Sequence, residues 1–296
     1  MILLTGATGF IGPKIAHALR SRDLPVRALV RDPGKSTQLT TWGVELAQGN
    51  MTQPDSLRAA VEGCDTVVHL VSIRTGKPRQ FEAIMAQGTR DLVTAAQEAG
   101  VGRWVQMSAS GVGEETSDLT PYYAAKFAME EAVKGSGIPY VIFRPTFVFG
   151  RDGGVLPTFM RQVRWLPATP VVGNGEGRLQ PIWVDDTAEF FGEAAQRKDV
   201  AGRVFELGGP DEVSWNELFD RIRRALGVRR PKVHVPVAIV RTNARLLELL
   251  PSPLITRDDL KMLTALDHVA DVRPAVEAFK VPLMPLDEQL RRAAQR

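Results

Sequence analysis

A short apolar run, Met1-Ile2-Leu3-Leu4, leads directly into Thr5-Gly6-Ala7-Thr8-Gly9-Phe10-Ile11-Gly12, and a segment of helical period follows at once. Glycines three apart between a strand and a helix permit a tight turn, close approach of the backbone to an anion, and close packing of helix on strand. The unpaired N–H groups of the helix start then face that anion. Glycine spacing alone is a weak signal, and its place inside a βαβ unit of about 30 residues is what gives it weight. The competing reading is a glycine turn that binds nothing.

The rest of the first half repeats the same alternation. Strand-like runs fall at 1–5, 26–30, 44–47, 66–71, 103–108 and 139–144, with helix candidates at 11–22, 55–62, 79–99 and 121–135. Strands alternating with helices predict a parallel sheet covered on both faces, and nearly all-apolar strands fit burial on both sides. The expected class is α/β, a doubly wound parallel sheet (Rossmann fold) with a smaller, mostly C-terminal α+β lobe. Beyond Gly150 the rhythm lapses into loops marked by Gly153-Gly154, Gly173-Asn174-Gly175-Glu176-Gly177 and frequent prolines. Residues 1–150 are therefore assigned to a nucleotide-binding domain, rejoined by about 182–208 through a strand candidate at Arg203–Leu207. Residues 151–181 and 209–296 form the substrate or partner lobe. Its clearest helix runs from Ser214 to Leu226, with Ser214 and Glu217 spaced as a capping box and Gly227 as its stop.

Composition excludes several classes. The chain has 296 residues, 44% apolar and 24% charged, enough to bury a core without disulfide or metal staples. The net charge is +3, and the two halves are balanced, with 15 basic against 14 acidic residues in 1–150 and 22 against 20 in 151–296. Neither half has the electrostatic footprint of a nucleic-acid binder. A local excess, Arg221, Arg223, Arg224, Arg229, Arg230 and Lys232, reads more simply as a solvated face than as a patch for phosphates or lipid headgroups, so peripheral membrane contact is kept only as a secondary partner. The single cysteine, Cys64, cannot form an internal disulfide and reads as a buried thiol; the four histidines lack ligand spacing, so no metal is expected. With no targeting segment visible and no apolar run near 20 residues, the expected location is the cytoplasm.

Two further features carry chemistry. The second strand ends Val30-Arg31-Asp32, where an acidic residue would bind the adenosine ribose of NAD(H) and a basic one the extra phosphate of NADP(H). Arg31 favours NADP(H) over NAD(H), with Asp32 keeping the alternative open. Thr120-Pro121-Tyr122-Tyr123-Ala124-Ala125-Lys126 opens a helix with Thr120 as cap, which sets Tyr122 and Lys126 one turn apart on one face. A nearby ammonium favours the phenolate, so Lys126 is expected to lower the Tyr122 pKa. An ordinary amphipathic pair is the plainer reading.

Together, the glycine turn, Tyr122-x-x-x-Lys126, Arg144-Pro145-Thr146-Phe147-Val148-Phe149-Gly150 and the later Val184-Asp185-Asp186 resemble the extended and atypical short-chain dehydrogenase/reductase superfamily. Val30-Arg31-Asp32-Pro33 and Ile255-Thr256-Arg257-Asp258-Asp259-Leu260 resemble its NmrA-like members, especially relatives of the NADPH-binding accessory subunit of respiratory complex I. The resemblance implies that Gly6, Thr8, Gly9, Phe10, Ile11 and Gly12 form the pyrophosphate turn. It places Arg31 at the adenosine phosphate, Asn50 beside the adenine, and Leu70 and Val71 along the cofactor. Pro145, Thr146, Phe147 and Val148 fall beside the nicotinamide amide, and Tyr122 with Lys126 is the catalytic pair, also touching cofactor.

Departures from that pattern matter. The slot of the family's catalytic Ser or Thr holds Ala109, flanked by Ser108 and Ser110, either of which could reach a substrate carbonyl if the turn shifts. Met85 stands where an asparagine is often found. Two functions are therefore expected to compete: an NADP(H)-dependent oxidoreductase or epimerase working on a small-molecule carbonyl or hydroxyl substrate, and a non-catalytic NADP(H)-binding protein that reports to a protein partner.

Overall fold

Seven parallel strands build the central sheet of the computed structural model, which describes residues 1–247 and 256–295, with backbone only for 243–247. They are β1 (Ile2–Thr5), β2 (Val26–Val30), β3 (Glu45–Gln48), β4 (Thr66–His69), β5 (Arg103–Met107) and β6 (Tyr140–Pro145). After an excursion carrying β7 (Val148–Phe149), β8 (Thr169–Val172), β9 (Arg178–Leu179) and β10 (Ile182–Trp183), the seventh, β11 (Arg203–Leu207), returns to pair with β6. The order is β11-β6-β5-β4-β1-β2-β3, so the chain reverses direction across the sheet between β1 and β4. In open α/β sheets that reversal opens a crevice at the carboxyl ends of the strands, where ligands bind.

Helices Pro54–Val61, Gly88–Glu98 and Pro121–Lys134 pack together on one face, burying Leu57, Leu92, Val93 and Val133 with Leu3, Val67 and Trp104 of the strands. Helix Gly12–Arg20 packs on helix Val184–Ala194. There Phe143 of β6 gathers Phe190, Phe191, Phe205 and Phe279, with ring centroids 4.9 to 6.0 Å from its own. The strands are apolar because both faces are covered.

The segment read as one helix over 79–99 is interrupted: Pro78–Phe81 is α-helical, Glu82–Gln87 is π-helical, and Gly88–Glu98 is α-helical again. Such bulges insert one residue into a helix and often occur at functional positions. Periodicity cannot reveal one, because the apolar positions on either side keep their spacing.

The chain divides into two compact units: Met1–Pro145 with Val184–Leu207 and Val272–Pro282, and Thr146–Trp183 with Gly208–Asp271 and Leu283–Arg296. Phe279 on Phe143 ties Val272–Pro282 into the first. Among the described residues the second holds three two-stranded ribbons, with β7 on β10, β9 on β12 (Val213–Ser214), and β8 on β13 (Lys232–Val235). Its helix Trp215–Leu226 starts at Ser214, whose hydroxyl accepts from the Glu217 N–H, and stops at left-handed Gly227 (φ 64°). Only half of the capping box forms, because the Glu217 carboxylate pairs with Arg221. Of the C-terminal run, Ile255 lies outside the described residues; Thr256 and Asp259 cap helix Arg257–Ala265 reciprocally.

Candidate cofactor and active site

The turn after β1 is shaped by two glycines for different reasons. Gly6 has φ +74°, and a Cβ there would lie 3.1 Å from the backbone of Leu70 and Val71 at the end of β4. At Gly12 a Cβ would fall 2.3 Å from the Gly6 carbonyl oxygen, so only glycine lets the helix start against the turn. Pro13 occupies its first turn and no side chain caps it. Pro13 has no N–H and the Lys14 N–H already donates to the Ile11 carbonyl at 3.1 Å, so among the described residues the Gly12 N–H is what this helix start leaves for an anion, the chemistry a pyrophosphate needs. Thr8 and Gly9 are exposed, Phe10 and Ile11 half-buried, all before the helix begins.

At the end of β2 the two charges part company. Asp32 is committed to its own turn, accepting from the Gly34 N–H at 3.1 Å and pairing with Lys35 at 3.2 Å. Arg31 is exposed and has no hydrogen-bond or ion-pair partner among the described residues. After β3, the Asn50 side-chain oxygen accepts from the Thr52 N–H at 3.2 Å. Its amide nitrogen has no protein partner among the described residues and could meet an adenine edge. The arrangement fits a bound nicotinamide dinucleotide along the carboxyl ends of β1 to β4.

On helix Pro121–Lys134, the Thr120 hydroxyl accepts from the Tyr123 N–H as the cap read from sequence. Lys126 is 1% exposed; its Nζ donates to the Met107 carbonyl at 3.0 Å and stands 5.9 Å over the Tyr122 ring. Burial lowers the Lys126 pKa to about 8, against the opposing pull of Glu130. Tyr122 packs against Phe81, Met85, Ala125 and Met129 with Ile73 beside it. Burial raises its pKa, countered in part by a hydrogen bond with Ser72. The sequence expectation of a phenol lowered by Lys126 is therefore corrected. The ammonium is held at the ring face and on a carbonyl, and apolar burial dominates at the hydroxyl.

Ser108 and Ser110 are buried beside a different cluster, and the Ser108 hydroxyl has no hydrogen-bond partner among the described residues. Glu130, fully buried, takes a bidentate contact from Arg144 at 2.9 and 2.8 Å, with Lys134 at 3.3 Å. Burial works to raise the Glu130 carboxyl, yet Arg144, with Lys134 behind it, holds it below its usual value. Ser110 approaches Glu206, whose pKa is raised by burial against Arg144 and Ser110, and the Ser110 carbonyl accepts from the Tyr123 hydroxyl at 3.0 Å. Neither serine is brought to Tyr122. The hydroxyl that is, Ser72, lies three residues past the end of β4, where the only mark in the sequence is a polar residue after an apolar run beside the reversal point of the sheet.

His69 joins the same region with no motif in the sequence to mark it. Its Nδ1 lies 2.5 Å from the Thr5 hydroxyl and its Nε2 2.9 Å from Thr89, whose hydroxyl donates to the Met85 carbonyl at 2.6 Å. Because Thr89 spends its proton on Met85, it accepts from Nε2–H, and Nδ1 accepts from Thr5. Burial, with Lys126 adding to it, lowers the His69 pKa to about 3, so the ring is neutral. The chain ties the end of β1 to β4 and to the π-helical bulge.

Pro145 ends the first segment of the first unit, and Thr146, Phe147 and Val148 open the second unit. There the Thr146 hydroxyl donates to the Gln180 carbonyl at 2.5 Å, Phe147 packs on Trp215 and His268, and Val148 pairs with Ile182.

Comparison with known proteins gives a family and relatives. Residues 6–158 match the family described as NAD(P)H-binding. An NAD(P)H azoreductase of Xenophilus azovorans is 26% identical over 285 residues, covering 93% of this chain and 91% of that protein. Subunit 9 of the mitochondrial NADH dehydrogenase (ubiquinone) 1 alpha subcomplex of Rattus norvegicus is 27% identical over 295 residues, covering 95% and 76%. Among solved structures, an Escherichia coli NADPH-dependent quinone oxidoreductase complexed with NADPH superimposes with a TM-score of 0.79 at 21% identity, covering 98% of both chains, and shares the fold.

Proposed function

The chain belongs to the NAD(P)H-binding family, and from that premise we propose that it is an NADP(H)-dependent reductase of a small-molecule carbonyl-type acceptor. The observation that carries the cofactor choice is the split at the end of β2. Asp32 is spent on its own turn, which leaves no free carboxylate for a ribose hydroxyl, while Arg31 is free to take a phosphate bidentately. When bound, the cofactor supplies a hydride. Tyr122, kept protonated by burial, donates the proton that a reduced carbonyl oxygen must gain. Ser72 orients that phenol and offers a hydroxyl where Ala109 offers none. Lys126, fixed on the Met107 carbonyl, presents its ammonium over the Tyr122 ring, within reach of a bound ribose. Leu70 and Val71 shape the floor beside the glycine turn, and the relative named as an NAD(P)H azoreductase supports reductive chemistry.

The test is direct: follow NADPH and NADH consumption over a panel of carbonyl and quinone acceptors for the native protein, Arg31→Ala, Tyr122→Phe and Ser72→Ala. The reading requires preference for NADPH that falls at least tenfold in Arg31→Ala. It also requires turnover lost in Tyr122→Phe while nucleotide binding survives. Unchanged turnover would remove Tyr122 from the chemistry.

A second reading rests on Ser108 and Ser110, which lie beside Glu130 and Glu206, with the Ser108 hydroxyl unpartnered among the described residues. With the family's serine slot empty of a hydroxyl, the protein would hold NADP(H) without reducing a substrate and serve a protein partner, as the similarity to a respiratory-complex subunit supports. Tight nucleotide binding with no consumption across the panel favours it.

A further inference from the structure

The second unit carries apolar side chains, on and beside ribbon β8/β13, that stand exposed among the described residues. Ribbon β8/β13 is parallel, with Val233 opposite Pro170 and Val235 opposite Val172. Side chains alternate across a strand, so these four residues share one face. The other face is occupied: Lys232 donates to Asp220 and to the Asn216 carbonyl, and the His234 ring bonds the Asn216 side chain, all on helix Trp215–Leu226. On the first of these faces Val233 is 49% exposed. At the ribbon's starting end Trp165 is 74% and Leu166 40% exposed, and past its far end Ile239 is 51% exposed. These are four of the five large hydrophobic side chains found exposed among the described residues, gathered within one ribbon and the residues that abut it. Scattered exposure of this kind needs no explanation, but a cluster does.

Charge says what covers it. No Asp or Glu occurs between Val155 and Gly175 or between Arg221 and Leu247, the two segments that build the ribbon and its flanks. In those segments Arg221, Arg223 and Lys232 are paired with carboxylates, while Arg161, Arg164, Arg229, Arg230 and Arg241 have no acidic partner among the described residues. Arg230 binds the Arg164 carbonyl at 3.1 Å, which places both beside Trp165. An exposed tryptophan and aliphatic side chains bordered by unpaired arginines match the chemistry of an anionic bilayer surface. The aliphatic groups enter the acyl boundary, the indole sits at the headgroup level, and the guanidinium groups meet lipid phosphates. We propose that the β8/β13 face of the second unit docks on anionic lipid membranes. Attachment is peripheral, since no helix among the described residues is long and apolar enough to cross a bilayer.

Two paired variants separate the parts of this surface: Trp165→Ser with Val233→Asp, and Arg164→Glu with Arg229→Glu. All four positions lie outside the cofactor site, so NADPH binding and melting temperature serve as controls for folding. The full chain should sediment with vesicles of phosphatidylglycerol in phosphatidylcholine at about 20 mM salt, where screening is weak. Binding should fall at least tenfold on pure phosphatidylcholine, at high salt, and in each paired variant. No sedimentation at low salt overturns the proposal. So does binding that both variants leave intact, or a self-associated protein that ignores vesicles and becomes monomeric in Trp165→Ser with Val233→Asp, since a second copy would then own the face.

Discussion

Lys126 Nζ is held 3.0 Å from the Met107 carbonyl and 5.9 Å above the Tyr122 ring, so the strand end beneath the helix, rather than the phenol oxygen, fixes the ammonium. Its pKa near 8 has a consequence for binding. As pH rises through 8 the ammonium is lost, and a cofactor site that uses its charge weakens. NADPH affinity should be flat below pH 7.5 and fall by about tenfold per 1.4 kcal/mol of lost interaction above pH 8. In Lys126→Met, fluorescence titration between pH 6.5 and 9.5 should give a weaker and pH-independent value.

The glycines of the first turn should separate folding from binding. Gly12→Ala forces a Cβ to 2.3 Å from the Gly6 carbonyl oxygen, and should destabilise the fold by about 2 kcal/mol or more. Gly9 is different, since a Cβ there meets the Gly6 oxygen at an ordinary 3.4 Å. Gly9→Ala should keep its melting temperature within a few degrees of native while NADPH affinity drops. Equal loss of stability in both variants would contradict this.

His69 makes the fold sensitive to mild acid. Its folded pKa of about 3 lies below the unfolded value near 6.5, so between those values the unfolded state binds the extra proton. The stability owed to the neutral ring is complete above pH 6.5 and declines as pH falls, with a limiting slope of about 1.4 kcal/mol per pH unit for one such group. Urea midpoints from pH 7 to 4.5 should fall in the native protein and fall less steeply in His69→Gln.

Arg144→Met should be among the more damaging changes in the first unit. It removes both short contacts to a fully buried Glu130 carboxylate and leaves Lys134 at 3.3 Å as the remaining cation. Stranding a buried charge costs about 3 kcal/mol or more. The double variant Glu130→Gln with Arg144→Met should recover part of that loss in urea titration, because the uncompensated charge is gone. A double variant as unstable as the sum of the singles would show that the pair does not couple.

Much of this was legible in the sequence because it follows from local rules. The glycine turn, the apolar strands, the Thr120 cap and the Ser214 to Gly227 helix each depend on residues within one or two turns of one another. The bulge at Glu82–Gln87 was not legible, since the Thr89 bond to the Met85 carbonyl that accompanies it leaves no trace in hydrophobic period. Nor was the fate of Ser108 and Ser110. Their neighbours Glu130, Arg144 and Glu206 come from a helix and from strands β6 and β11, which chain order separates and only the sheet order unites.

The sequence by itself determined that this chain forms a doubly wound sheet and where its dinucleotide turn lies, because close glycine packing and two-sided burial are written in residue size and polarity. It also supplied Tyr122, Lys126 and Arg31 as candidates. Only the tertiary structure decided their partners. Asp32 closes on its own turn and leaves Arg31 free, Ser72 rather than Ser108 or Ser110 meets the Tyr122 phenol, and burial raises that phenol instead of an ammonium lowering it. Burial and long-range pairing set the charge state of a side chain, and neither exists until distant segments are packed together.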